Sequence, residues 1–199
     1  MVRPRYSIIT PTILRPSLLK TCESVNTQTC ADWQHIVIID GDFENTIPLE
    51  MHHPQRKFLR CERNHNNWGN TCRFNAWMHA TGEYIYYLDD DNYLADDGVL
   101  ETLKIVTMDW AIFPILKTQW GGVHFFCPPL RGCSDGGSFI AKREIGRWPE
   151  CPIMTNVIDG RVGYDADGQL IEHLRRNYPY QAIMTRPLMV YTSGQPKTD

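Results

Sequence analysis

The run YIYYLDDDNYL, residues 84–94, puts three carboxylates, Asp89, Asp90 and Asp91, directly after a stretch of aromatic and aliphatic side chains. The apolar part reads as a buried strand and the acidic part as the turn that ends it. Three adjacent like charges repel, so either a divalent cation or plain solvation at a surface turn must offset them. Hard oxygen donors on a turn suit Mg²⁺ or Mn²⁺, which take one or two carboxylates together with substrate phosphates. A calcium EF-hand does not fit, because Leu94 stands sixth in the loop, where that motif needs glycine. The spacing alone leaves the cation and the solvated turn both open.

Outward from this run, the chain alternates strand and helix signals. YSIIT (6–10), HIVIID (35–40) and KFLRC (57–61) read as further strands, and YIYYLD (84–89) as the fourth. HIVIID is apolar almost throughout, as expected where both sheet faces are covered. Helical patterns span 16–27, with Leu18, Leu19, Cys22 and Val25 on one stripe, and 70–81, with Gly82 at the expected stop. A further helix is expected near 98–108. This order predicts an α/β fold with a largely parallel, doubly wound sheet. Beyond it, WAIFPILKT (110–118), VHFFC (123–127) and AIMTRPLMVYT (182–192) read as strands and 166–176 as a helix, with Pro187 confining part of the last strand to an edge. Asp40-Gly41-Asp42 gives a second acidic turn at a strand end, and ligands of open α/β sheets bind beyond such ends. Asp42 reads as a turn residue.

The 199 residues carry a net charge of −3, with 42% hydrophobic and 22% charged residues, which suits one soluble globular domain and gives no electrostatic reason to expect nucleic acid. Seven cysteines, odd in number and without a C-x-x-C pair, argue against a disulfide framework and for a reducing, cytoplasmic compartment. The N-terminus lacks a signal-peptide core, and no run approaches the ~18 apolar residues of a membrane span. Work at a membrane would be done from its surface. His52, His53, Cys61, His65 and Cys72 lack zinc-site spacing.

SIITPTILRPSLLKTCESVNTQTCADWQHIVIIDGD (7–42) and NWGNTCRFNAWMHATGEYIYYLDDDNYL (67–94) together resemble the opening half of the family 2 glycosyltransferases, whose fold is the Rossmann-like GT-A type. The resemblance implies a nucleotide pocket lined by Pro11, Thr12 and Arg15, with Asp40 at the base and Arg73 near the nucleotide. It implies an Asp-x-Asp motif in which Asp91 is the metal ligand and Asp89 lies by the ribose or the metal's waters. Asp90, the middle position, would contact the donor sugar. Residues 1–95 would then form the nucleotide-sugar half and 96–199 the acceptor and base half of a single domain.

CSDGGSFIAKREIGRWP (133–149) resembles the family's segment in which an Asp-containing turn precedes a strand ending in Arg or Lys, and this implies that Asp135 and Gly136, with Gly137, approach the donor sugar. GYDADGQLIEHL (163–174) resembles the block that carries the catalytic base at a helix start. Asp167 aligns with that base and Asp165 is the alternative. The family's acidic residue just before the base is replaced here by Ala166. Either aspartate could instead be a helix cap. Asp96 and Asp97 read as structural, before the next helix. Trp68, Trp120 and Trp148 are candidates to stack on a sugar or to pack in the core, and His124 and His173 could face the site or the surface.

The reading implied is a metal-dependent, inverting glycosyltransferase using Mn²⁺ or Mg²⁺. It would move a sugar from a nucleotide-diphosphate donor, UDP by default, to a hydroxyl acceptor such as a glycan or a lipid-linked carbohydrate. The short second half leaves the acceptor side open or completed by a partner subunit, a homo-oligomer included. Two alternatives stand beside it: a nucleotide-sugar or carbohydrate-binding module without turnover, and a sugar nucleotidyltransferase. Against the second, TPTILRP fills the place of that class's glycine-rich opening.

Overall fold

Residues 3–41, 47–118, 122–124, 135–150, 154–158 and 161–192 are described by the computed structural model, with the backbone alone in 154–158 and 161–164. The first half follows the apolar runs closely. Strand β1 (Tyr6–Thr12) is followed by helix α1 (Leu18–Asn26), then β2 (Trp33–Ile39), β3 (Arg56–Arg60), α2 (Asn70–Trp77) and β4 (Tyr84–Tyr87). These four strands are parallel, with β1 between β4 and β2. Alternate residues go to opposite faces. Tyr6, Ile8, Tyr84 and Tyr86 pack with Val25 of α1 on one side, whereas Ile9, Ile36, Ile85 and Tyr87 pack with Cys72 and Ala76 of α2 on the other. Each such large side chain, fully withdrawn from water, contributes roughly 1.5–3 kcal/mol.

The second half adds β5 (Tyr93–Leu94), α3 (Val99–Thr102), β6 (Trp110–Ile112), β7 (Ile115–Lys117), β8 (Gly122–His124), β9 (Phe139–Lys142), β10 (Met154–Ile158), β11 (Arg161–Tyr164), α4 (Ala166–Asn177), β12 (Ala182–Ile183) and β13 (Met189–Tyr191). The main sheet runs β12-β6-β9-β4-β1-β2-β3, a second sheet runs β5-β13-β7-β8, and β10 and β11 form a hairpin. Strand β9 is antiparallel to both β4 and β6, so the main sheet is mixed but mostly parallel. Helix α4 lays Leu170, Ile171 and Leu174 on the same face as α2.

Four sequence expectations are corrected. Residues 110–118 are not one strand: β6 lies in the main sheet and β7 in the second, with Pro114 between them. Residues 182–192 divide the same way, with Pro187 between β12 and β13. The two segments run side by side, β12 parallel to β6 and β13 parallel to β7, so they change sheets together, each at a residue with no N–H for a ladder. The helix expected over 98–108 is one α-turn, α3, followed by a 3₁₀ turn at Leu103–Ile105. Helix α2 stops at Trp77, short of Gly82. Gly82 instead lets two backbones meet: a Cβ there would lie 2.5 Å from the Ser7 nitrogen. The hairpin of β10 and β11 was not anticipated. Asp42, Trp120, Cys127, Cys133, Cys151 and residues 125–127 of the expected strand 123–127 lie outside the described residues. Among the described residues no helix is long and apolar enough to cross a membrane.

Candidate active site

The site grows from the carboxyl ends of β1, β2 and β4. The Ile9 carbonyl accepts a hydrogen bond from Leu88 (3.0 Å), and the next position of β1 facing that way is Pro11, which has no N–H to offer. At this level β4 leaves the sheet and enters the acidic turn. Pro11 packs against Gly69 instead. A Cβ on Gly69 would sit 2.7 Å from the Pro11 Cβ, and its φ of +74° lies in the left-handed region that favours glycine.

The turn sorts its three carboxylates. Asp90 points inward, its side chain 5% exposed, accepting from the Thr12 hydroxyl (2.7 Å) and from Arg15 Nη1 (3.0 Å). Burial raises its pKa, and Thr12 and Arg15 oppose that. Asp89 and Asp91 keep more access to solvent, with side chains 40% and 24% exposed. Asp91 lies 3.5 Å from Arg15, and burial together with the charges of Asp89 and Asp90 pushes it up to about 6. The turn is tied down from behind. The Asn92 carbonyl accepts from the Thr21 hydroxyl (2.7 Å), its side chain accepts from the Thr192 amide (3.0 Å), and the Asp91 carbonyl accepts from the Thr192 hydroxyl.

Asp89 forms an ion pair with Arg73 of α2, whose side chain is 9% exposed. A second nitrogen of that guanidinium donates to the Trp68 carbonyl (2.7 Å), and the group lies over the Trp148 ring, 4.8 Å from its centroid. Trp148 is fixed in turn: its Nε1 donates to Asn70 Oδ1 (3.0 Å) and its amide to the Tyr87 hydroxyl (3.1 Å). Burial works against the Arg73 charge, but Asp89 and Asp167 outweigh it and raise the pKa.

The second half reaches the same corner. Asp135 accepts from the Gly137 amide (2.9 Å) and leads through a 3₁₀ turn into β9. A Cβ on Gly136 would lie 3.2 Å from the Trp148 ring and 4.0 Å from the Asp167 Cβ, so this turn, Trp148 and the start of α4 meet. Burial, then the charge on Asp89, pushes Asp135 up to about 7. Asp167, in the first turn of α4, accepts from the Gly168 amide (2.9 Å), and burial pushes it up to about 6 against that bond and Arg73. Asp165 occupies the cap position of α4, yet its side chain makes no capping hydrogen bond. Asp40, at the end of β2 and 4% exposed, accepts from His65 through both the backbone amide (3.0 Å) and Nδ1 (2.8 Å).

The residues singled out by sequence therefore fall around one corner, with two differences of emphasis. Asp90 braces Thr12 and Arg15, and Asp40 is held by His65. Periodicity gave no sign of Trp148 as a shelf for Arg73, of His65 on Asp40, or of Thr192 behind the turn. His173 is exposed on α4 with its ring against Tyr178, and Trp68 is 62% exposed. Chemically, Asp89 and Asp91 offer the oxygen donors that a hard divalent cation takes, two guanidinium groups stand beside them, and Asp135 and Asp167 are acids tuned toward neutrality.

Solved structures share this fold. TarS residues 1–349 of S. aureus, in complex with UDP-GlcNAc, superposes with a TM-score of 0.75 at 14% identity, covering 96% of this chain and 59% of that one. The mannosyltransferase PcManGT from Pyrobaculum calidifontis, in complex with GDP-Man and Mn²⁺, gives a TM-score of 0.65 at 20% identity, covering 99% of this chain and 59% of that one. The chain thus spans about 60% of the length of these structures, and at such identities the likeness establishes the fold, the GT-A type. No curated protein sequence matches significantly. The family model for glycosyl transferase family 2 matches residues 7–126, which holds the acidic turn and most of its supports, and the chain belongs to that family.

Proposed function

We propose that the chain catalyses metal-dependent, inverting transfer of a sugar from a nucleotide-diphosphate donor to a hydroxyl acceptor. The observation that carries this reading is the meeting of the outward carboxylates Asp89 and Asp91 with Arg15, Arg73 and the raised acid Asp167 at one sheet corner. The solved relatives hold UDP-GlcNAc, or GDP-Man with Mn²⁺, which supports the donor class and the cation, with UDP as the default carrier.

In this reading Pro11, Thr12 and Arg15 line the nucleotide pocket, with Asp40 at its base end. Asp91 is the principal ligand of Mn²⁺ or Mg²⁺ and Asp89 the secondary one. The residues fit such an ion: the turn crowds three carboxylates, and burial, then the charges of Asp89 and Asp90, raises the pKa of Asp91. A bound cation supplies charge neutralisation for a departing diphosphate. Asp90 acts by positioning Thr12 and Arg15, and Arg73 by holding Asp89 in place. Asp135 and Gly136 form the wall nearest the sugar. Asp167 accepts the proton of the acceptor hydroxyl as its oxygen bonds to the anomeric carbon. The bond from that carbon to the diphosphate oxygen breaks on the opposite face, so the configuration inverts. Asp165 is the alternative base. Residues 1–95 would serve the donor and 96–199 the acceptor within one domain. Seven cysteines, odd in number and without a C-x-x-C pair, favour a reducing, cytoplasmic setting.

The test is donor turnover with and without Mn²⁺ in the native chain and in Asp91→Ala. Stimulation in the first and its loss in the second are expected. Undiminished activity in Asp91→Ala would remove the metal assignment, and saturable donor binding without turnover in the native chain would make it a binding module.

A further inference from the structure

A second cluster lies beneath the first and has a different chemistry. Asp40 from the end of β2, Cys61 just after β3, His65 in the following loop and Cys72 of α2 bring one ligand atom each to within 4.8 Å of one another. Their spacing in sequence shows none of this, because four separate segments converge. The Cys61 and Cys72 sulfurs are 3.4 Å apart, and His65 Nδ1 is 2.8 Å from Asp40 Oδ1. Asp40, Cys61 and Cys72 are 4%, 6% and 0% exposed.

We propose that these four side chains form a closed, tetrahedral Zn²⁺ site that staples the donor-site wall. Two thiolates, an imidazole and a carboxylate are the donor types that zinc takes in structural sites. With bonds of about 2.3 Å to sulfur and 2.0 Å to nitrogen or oxygen, a tetrahedral ion needs its sulfurs about 3.8 Å apart and its nitrogen and oxygen about 3.3 Å apart. These two separations fall a few tenths of an ångström short, and the sulfur-to-nitrogen and sulfur-to-oxygen separations, at most 4.8 Å, compare with about 3.5 Å in such a tetrahedron, so side-chain shifts alone admit the ion. A disulfide would use the sulfurs alone, whereas an ion engages all four side chains. Binding displaces the protons of the two thiols to solvent and bonds both sulfurs, the imidazole nitrogen and a carboxylate oxygen to the ion.

The site differs from the Asp89–Asp91 turn, whose donors are oxygens only, and it goes beyond the proposed transfer reaction; it shares Asp40 with the proposed nucleotide pocket, one carboxylate oxygen binding the ion and the other left for the base. Its consequence is mechanical. The ion joins β2, the end of β3, the loop to Gly69 and α2, and so fixes the segment that seats Gly69 on Pro11 and Arg73 on Asp89.

The test uses the reduced, purified chain. One equivalent of tightly held zinc is expected. Cobalt in its place should give thiolate-to-cobalt charge-transfer absorption and the intense visible bands of a tetrahedral ion. Cys61→Ser and Cys72→Ser should each weaken zinc binding by about tenfold or more and abolish the charge-transfer pattern of two thiolates. Asp91→Ala should leave the cobalt spectrum unchanged whether or not it turns over donor, which separates this proposal from the catalytic one. Should the serine variants fail to fold, the cobalt spectrum of the native chain decides alone. Absence of thiolate–cobalt absorption in the reduced chain, or isolation of the native chain with Cys61 and Cys72 joined as a disulfide, overturns the proposal.

Discussion

Replacing Asp91 by asparagine should make the protein more stable at neutral pH while removing a cation ligand. In the native protein this carboxyl is pushed from 3.8 up to about 6 by burial and by the charges of Asp89 and Asp90. An acid with a folded pKa above its unfolded one binds its proton more tightly when folded. Its effect on stability is therefore nil below about pH 4 and becomes increasingly unfavourable as pH rises through about 6. A shift of about 2 units corresponds to roughly 3 kcal/mol at 1.36 kcal/mol per unit. The side chain is 24% exposed and the asparagine loses its contact with Arg15, so about half of that, roughly 1.5 kcal/mol, is the expected gain. With a urea m-value of about 2–3 kcal/mol/M, the unfolding midpoint at pH 7 should rise by about 0.5–0.7 M without added divalent cation. The difference should shrink toward zero near pH 4. Added Mn²⁺ should stabilise the native chain and not the variant. An unchanged or lowered midpoint at pH 7 would refute the claim that burial and neighbouring charge make the Asp91 carboxylate costly to keep ionised.

Three further outcomes follow from the geometry. Asp167→Asn should lower kcat by about 10²–10⁴-fold while donor binding, read by calorimetry, is kept; the same loss in Asp165→Asn, with Asp167→Asn active, would move the base by two residues. Because burial pushes Asp167 up to about 6, kcat/KM should fall about tenfold as pH drops from about 7 to 5, and a flat profile would count against that group acting as an anion. Gly69→Ala puts a Cβ 2.7 Å from Pro11 at a φ of +74°. It should cost about 2 kcal/mol, a fall in Tm of roughly 4–8 °C by calorimetry, and weaken donor binding as Arg73 shifts.

The first half of the fold was legible because its strands are buried on both faces and its helices carry one apolar stripe, so period and length agree. The acidic turn was legible because three adjacent carboxylates have few bland explanations. The second half resisted for a local reason. Strands β6, β7, β12 and β13 are two or three residues each, too short for a period to declare itself. Which sheet each joins is decided by its neighbour across the prolines. Gly82 looked like a helix stop because glycine serves there often, whereas a backbone contact between residues 75 apart along the chain needs it. The convergence of Asp40, Cys61, His65 and Cys72 was not legible for the same reason that Trp148 was not identified as the shelf for Arg73: distant segments that meet leave no trace in linear order.

The ties from Thr192 to Asp91 and Asn92 span 101 and 100 residues. On a ribosome, the acidic turn is made long before the segment that anchors it, so it cannot take the shape described here until Thr192 has emerged. The strands β1 to β4 can pair before then, and the turn is fastened only afterwards. Nascent chains, and chains trimmed short of residue 192, would therefore carry a formed sheet with a slack acidic turn.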